Sequence, residues 1–205
     1  MRTNRSAVRA LAAVAAAGVL AACAGTQRRD IDLSPRPSLP HTEADVRFMS
    51  GMIPHHAQAL VMAGWAETNA SRNDVKVLAR RIVVGQRDEI ALMQMWLRDR
   101  NLPVPDPDPQ HMMHGMQDHE LMPGMLTAAE LEQLGRARGT EFDRLFLTYM
   151  IRHHEGAVTM VDELFASPGA AQNEDVFRLA SDIYADQTTE IERMYEMLDS
   201  LPAGG

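Results

Sequence analysis

The stretch Met52-Ile-Pro-His-His-Ala-Gln-Ala-Leu-Val-Met62 returns later in the chain as Met150-Ile-Arg-His-His-Glu-Gly-Ala-Val-Thr-Met160. The likeness extends beyond it. Phe48 matches Phe146, and Leu78-Ala79, Ile82, Gln86, Glu89-Ile90 and Met93 match Leu179-Ala180, Ile183, Gln187, Glu190-Ile191 and Met194. A repeat with this reach restricts the fold to two copies of one unit, each with two periodic segments. Phe48, Met52, His55, Ala59 and Met62 fall on one face of a helix, and the second segment has helical spacing too. Ala, Leu, Met, Glu and Arg dominate the composition, which favours helix. Aromatic residues are 5% of the chain, so the core must come from Leu, Ile, Val, Ala and Met. The spacing predicts an all-α chain, two duplicated helical hairpins forming a four-helix bundle.

The first helix is expected from Glu43 to about Thr68. Pro54 inside it either kinks it or marks a first turn that starts late. Ser71-Arg-Asn-Asp74 reads as an N-cap with an acid at the third helical position, opening a second helix to about Asp99. The prolines of residues 101–109 end it. Thr127-Ala-Ala-Glu130 is a capping box opening a short helix that Gly135 and Gly139 limit. Thr140 is expected to cap a third long helix to about Ala166, stopped by Ser167-Pro-Gly. A last helix runs from near Asn173 to about Ser200. The helical domain thus covers residues 43–200, with a His/Met-rich connector at about 102–126.

Ahead of the domain lies a targeting segment. Arg2, Arg5 and Arg9 precede an apolar run, Ala10 to Ala22, too short to span a bilayer and suited to a signal peptide. It ends in Leu20-Ala21-Ala22-Cys23, which resembles a bacterial lipobox. The expected protein is an exported lipoprotein on the periplasmic side or cell surface. Residues 1–22 are its signal, Cys23 carries the lipid, and the proline-rich residues 23–42 are a flexible tether. Cys23 is the one cysteine of the chain, so no thiol remains for disulfides, nucleophilic catalysis or metal. Cleavage removes three arginines and no acid. The formal charge then moves from −8 to −11, with 17 basic against 28 acidic side chains. An acidic chain with a single lysine, Lys76, does not suit nucleic acid. Contact with the membrane is expected through the lipid alone.

The repeat also builds a site. His55 stands about 15 residues before the first turn and Gln86 about 16 after it, so both lie roughly 22–25 Å along the hairpin. Glu89 falls one turn further, near the level of Met52. The second hairpin repeats this with His153, His154, Gln187 and Glu190. Paired hairpins would collect the four histidines, both glutamates and several methionines in one layer. Neighbouring histidines on a helix point about 100° apart, so commonly one is exposed and one hydrogen-bonded in the core. Duplication of the whole polar set favours a metal site over polar packing, since buried polar groups are costly unless satisfied. The candidate ligands are His55, His56, His153, His154, Met52, Met62, Met150, Met160, Glu89 and Glu190. The methionines equally suit core packing. A second, looser set is the connector's His111, Met112, Met113, His114, Met116, His119, Met122 and Met125. Imidazole with thioether points to copper, Cu(I) or Cu(II).

Three stretches carry a resemblance: Phe48-Met-Ser-Gly-Met-Ile-Pro-His-His-Ala-Gln-Ala, then Met122-Pro-Gly-Met-Leu, then Gly139-Thr-Glu-Phe-Asp-Arg-Leu-Phe-Leu-Thr-Tyr-Met-Ile-Arg-His-His-Glu-Gly-Ala. They resemble the bacterial family called domain of unknown function 305, over about residues 43–200. The resemblance implies a ferritin-like four-helix bundle, exported or lipid-anchored, in a family with members linked to copper binding and resistance. The expected function is copper sequestration or relay, with a copper-export or copper-delivery partner and without enzymatic activity. Two alternatives stay open: a ferritin-like di-iron redox protein, and an envelope protein without metal. A di-iron site uses about four carboxylates and two Glu-x-x-His histidines. This chain offers Glu89, Glu190 and Glu155 to the layer, and no Glu-x-x-His at either pair. No Ser/His/Asp order, phosphate loop or zinc-type Cys motif supports a hydrolase or nucleotide enzyme.

Overall fold

The first long helix begins where Thr42 and Asp45 close a capping box: Asp45 N–H donates to Thr42 Oγ1 at 3.1 Å, and Thr42 N–H donates to Asp45 at 2.7 Å. The computed structural model describes residues 40–107 and 121–202. These fold into α1 (Glu43–Gly64), α2 (Ala66–Asn69), α3 (Asn73–Asp99), α4 (Ala128–Arg136), α5 (Gly139–Ala166) and α6 (Glu174–Asp199). The described chain is all-helical apart from one isolated bridge between Ala70 and Gly139. Among the described residues no helix is long and apolar enough to cross a membrane. The signal, Cys23, the tether up to residue 39 and connector residues 108–120 lie outside the described residues.

Several boundaries move. α1 stops at Gly64, and Trp65 separates it from the four-residue α2. Pro54 opens no turn; it is buried well inside α1 and costs that helix one backbone hydrogen bond. Ser71 does not cap α3. The N-cap is Arg72, which makes no side-chain cap bond, and Ser71 is engaged elsewhere. Gly139, at φ +65°, lets α5 start one residue before Thr140, with Arg138 as N-cap. The capping box of Thr127 and Glu130 forms, as does the Asn173 cap of α6.

Ser71 is engaged by Asp143, near the start of α5. The buried Asp143 accepts from Ser71 N–H at 3.1 Å, from Arg72 N–H at 3.2 Å and from the Ser71 hydroxyl. The equivalent acid of the first copy is Asp45, also buried, which accepts from Ala171 N–H at 2.7 Å. Each copy's first helix thus holds the other copy's turn. This requires α1 and α5 to run antiparallel.

α1 packs along α3, α5 packs along α6, and α1 against α5 joins the hairpins. The apolar core is in two parts. One contains Met62, Leu78, Ile82, Phe142, Phe146, Met150 and Met194, and the other Phe48, Met52, Ile90, Met93, Val161, Val176 and Ile183. Each part draws on the beginning of some helices and the end of others. Between them lies a polar layer.

A buried histidine layer

His55, His56, His153 and His154 each have 0% of their surface exposed. The 100° between helical neighbours would ordinarily send one of each pair to solvent. Here both faces are covered. His56 turns to α3, where its Nε2 lies 2.7 Å from Glu89 Oε2, and His154 turns to α6, where its Nε2 lies 2.8 Å from Glu190 Oε2. His55 and His153 turn to one another across the hairpin interface, with ring centroids 4.0 Å apart and planes 39° apart. Glu89 reaches the histidine level because helical side chains tilt towards the N-terminus. Counting backbone positions alone set it one turn too far.

A second feature was not visible in the repeat itself. Residues 122–127, the end of the connector, strap across the layer. The Pro123 carbonyl accepts a hydrogen bond from His55 Nε2 at 3.0 Å. Gln58 clamps Leu126 through both ends of its amide, at 3.0 Å to the Leu126 carbonyl and 2.7 Å from its N–H. Gly156 provides the space: a Cβ there would lie 2.0 Å from the Pro123 carbonyl oxygen. Arg152 grips Glu130 with two bonds of 2.7 and 2.8 Å, and this pairing holds the Glu130 carboxyl down to about 2. Gln58 and Gly156 occupy equivalent positions of the two copies, as do Pro54 and Arg152. Three of the residues at which the repeat breaks, Gln58, Gly156 and Arg152, seat the strap or the helix that follows it, and that was the available signal.

The layer's electrostatics follow from burial. Desolvation, with the neighbouring His56 imidazole adding to it, pushes His55 down to about 3. Burial and the His55 imidazole push His153 well below its ordinary value. Both are neutral, the form in which imidazole binds metal. The Nδ1 atoms of all four histidines, and Nε2 of His153, are buried without a hydrogen-bond partner. Gln86 has no partner at either end of its buried amide, and Gln187 none at its oxygen. Buried polar groups are ordinarily paired, so this concentration of unpartnered atoms stands out, and the imidazole nitrogens and amide oxygens among them fit a cation. Among the described residues, however, no three His, Cys, Asp or Glu side chains form a ready metal cage.

The other candidates scatter. Met62 and Met150 sit in one apolar part and Met52 in the other, all at 0% exposure. Met160 and Met122 meet over Gly51, where a Cβ would lie 3.5 Å from Met122 Sδ and 3.5 Å from Met160 Cε. Both line a surface cleft of about 290 Å³. Met125 is buried within the strap. Glu155 is not in the layer: it is exposed and accepts from Tyr195 at 3.1 Å. His111, Met112, Met113, His114, Met116 and His119 lie outside the described residues.

Known proteins share this arrangement of helices. A DUF305 fragment from Deinococcus radiodurans is 32% identical, covering 80% of this chain and 100% of that one, with a TM-score of 0.66. A putative secreted DUF305 protein from Streptomyces coelicolor is 31% identical, covering 76% and 92%, with a TM-score of 0.65. CopM in the Cu(II)-bound form is 32% identical, covering 76% and 95%, with a TM-score of 0.63. An uncharacterized protein, L153, of Acanthamoeba polyphaga mimivirus is 36% identical over 58 residues, which is 28% of this chain and 38% of that protein's length. Residues 45–198 match the family described as Domain of unknown function (DUF305), and the chain belongs to that family.

Proposed function

We propose that this is an exported, lipid-anchored copper-binding protein that sequesters or relays copper and performs no catalysis. In this reading the four long helices are a ferritin-like four-helix bundle of two duplicated hairpins. The histidine layer is its principal site, and the connector a second, looser one. The observation that carries the reading is the set of four fully buried imidazoles with unpartnered Nδ1 atoms. Neutral imidazole suits copper, and thioethers such as Met122 and Met160 select its softer Cu(I) state. The solved forms of CopM, Cu(II)-bound, Cu(I)-bound and Ag-bound, give the reading a precedent in a similar chain. A di-iron centre suits the donors less well. Glu89 and Glu190 are each taken by a histidine, and Glu155 faces solvent.

The test is a titration of the purified mature protein with Cu(I) and Cu(II) in competition with a chelator, repeated with the four paired histidines changed to Ala. Tight binding lost with the histidines is the expected result. Binding no tighter than the chelating buffer sinks the proposal. Binding unchanged without the histidines moves the site to the connector. Iron retained through purification, with an oxo-bridge absorption band, favours the di-iron alternative.

A further inference from the structure

We infer that Nδ1, and not Nε2, is the metal-binding atom of His55, His56 and His154, and that Glu89, Glu190 and the Pro123 carbonyl are the positioning groups that impose this choice. The inference rests on the metal reading of the layer. A backbone carbonyl can only accept a hydrogen bond, so His55 Nε2, 3.0 Å from the Pro123 oxygen, must carry the ring proton. Ionised carboxylates also only accept. The contacts of 2.7 Å at Glu89 and 2.8 Å at Glu190 therefore place the protons of His56 and His154 on Nε2 as well. A neutral imidazole has one N–H. In the neutral ring, the form that binds metal, a proton on Nε2 leaves Nδ1 with the free lone pair, and in all three rings that atom is buried without a partner. A carboxylate behind the N–H also raises the basicity of the opposite nitrogen, which strengthens it as a ligand.

His153 is the exception. No hydrogen bond of normal geometry reaches either of its ring nitrogens, and the His55 backbone draws on the ring only weakly. Its repeat counterpart, His55, is held by the strap, and a chain with one connector has one strap. His153 is thus the ring free to present either nitrogen. The layer is twofold in its carboxylates and asymmetric at its centre.

The experiment uses the full-length protein with 15N-labelled histidine, free of metal, and reads ring tautomers from long-range 1H–15N correlation spectra. The expected pattern is a protonated Nε2 and a bare Nδ1 at His55, His56 and His154. Silver(I), a diamagnetic soft cation, is then added as the probe. Nδ1 of these rings should shift while Nε2 keeps its proton. Glu89→Ala should release the tautomer of His56 alone, and Glu190→Ala that of His154 alone, each lowering silver affinity by about 10–100-fold. Glu89→Gln should preserve the pattern, because the amide oxygen still accepts. Gly156→Ala must push the Pro123 carbonyl away, so it should release His55 and spare the other two. A proton on Nδ1 in the metal-free protein, or loss of the Nε2 proton to silver, overturns this inference while leaving metal binding in place. No response of any of the four rings to silver overturns the metal reading, and this inference with it.

Discussion

Removing the Asp143 carboxylate should loosen the tie between the hairpins without touching the histidine layer. Asp143 is fully buried and receives three donors from the first turn: Ser71 N–H, Arg72 N–H and the Ser71 hydroxyl. Hydrogen bonds to a charged acceptor contribute about 1.5–3 kcal/mol each. The sum overstates the loss, because Ser71 is exposed and its donors recover water. A net cost of about 2–4 kcal/mol for Asp143→Ala remains. In a domain of this size that lowers Tm by about 5–15 °C. Asp143→Asn keeps one accepting oxygen and should cost about half as much. Asp143 lies about 15 Å along α5 from His153, so copper affinity should not change. Chemical denaturation of the metal-free protein, with a copper titration on the same samples, checks both halves. A cost under about 0.5 kcal/mol would show that the tie is dispensable. A loss of copper affinity in a protein of normal stability would show that the turn and the layer are coupled.

Two further outcomes follow from the layer and the methionines. The folded protein holds His55 and His153 neutral, with His55 down at about 3, whereas the unfolded chain takes up protons near 6.5. Their stabilisation is complete above about pH 6.5 and drains away as the pH falls towards 3, at up to about 1.4 kcal/mol per pH unit for each ring. Melting of the metal-free protein in chelator should therefore drop steadily between pH 7 and 5, and a flat profile there would contradict the burial argument. Met62→Leu and Met150→Leu, in the apolar core, should each cost less than about 1.5 kcal/mol and leave Cu(I) affinity unchanged. A tenfold weaker Cu(I) affinity in either variant would put that thioether at the metal instead.

The duplication made the hairpins and the histidine layer legible, because helical periodicity and residue counting both survive without coordinates. Spacing alone brings the four histidines and both glutamates to within about one turn of each other, with Glu89 falling near the level of Met52. What spacing could not supply is direction. It did not show that His55 and His153 face each other, or that a proline carbonyl stands behind one of them, because backbone atoms carry no sequence signature. Ser71 looked like a cap on local grounds, and a carboxylate distant in sequence engaged it first. Asp45 and Asp143 stand at matching offsets before the two histidine pairs, so their pairing with the turns was encoded in the repeat. An acid in the first turn of a helix reads as a favourable charge there, and that local meaning concealed the distant one.

The reciprocal hold of Asp45 on Ala171 and of Asp143 on Ser71 has the form of an isologous contact between two identical subunits, folded into a single polypeptide. A lone hairpin would present an uncompensated carboxylate at one end and an untied turn at the other, and a second copy of itself would satisfy both. Covalent fusion of two copies releases the pair from strict equivalence. The halves can then diverge at Gln58 against Gly156 and at Pro54 against Arg152, which a symmetric dimer could not do.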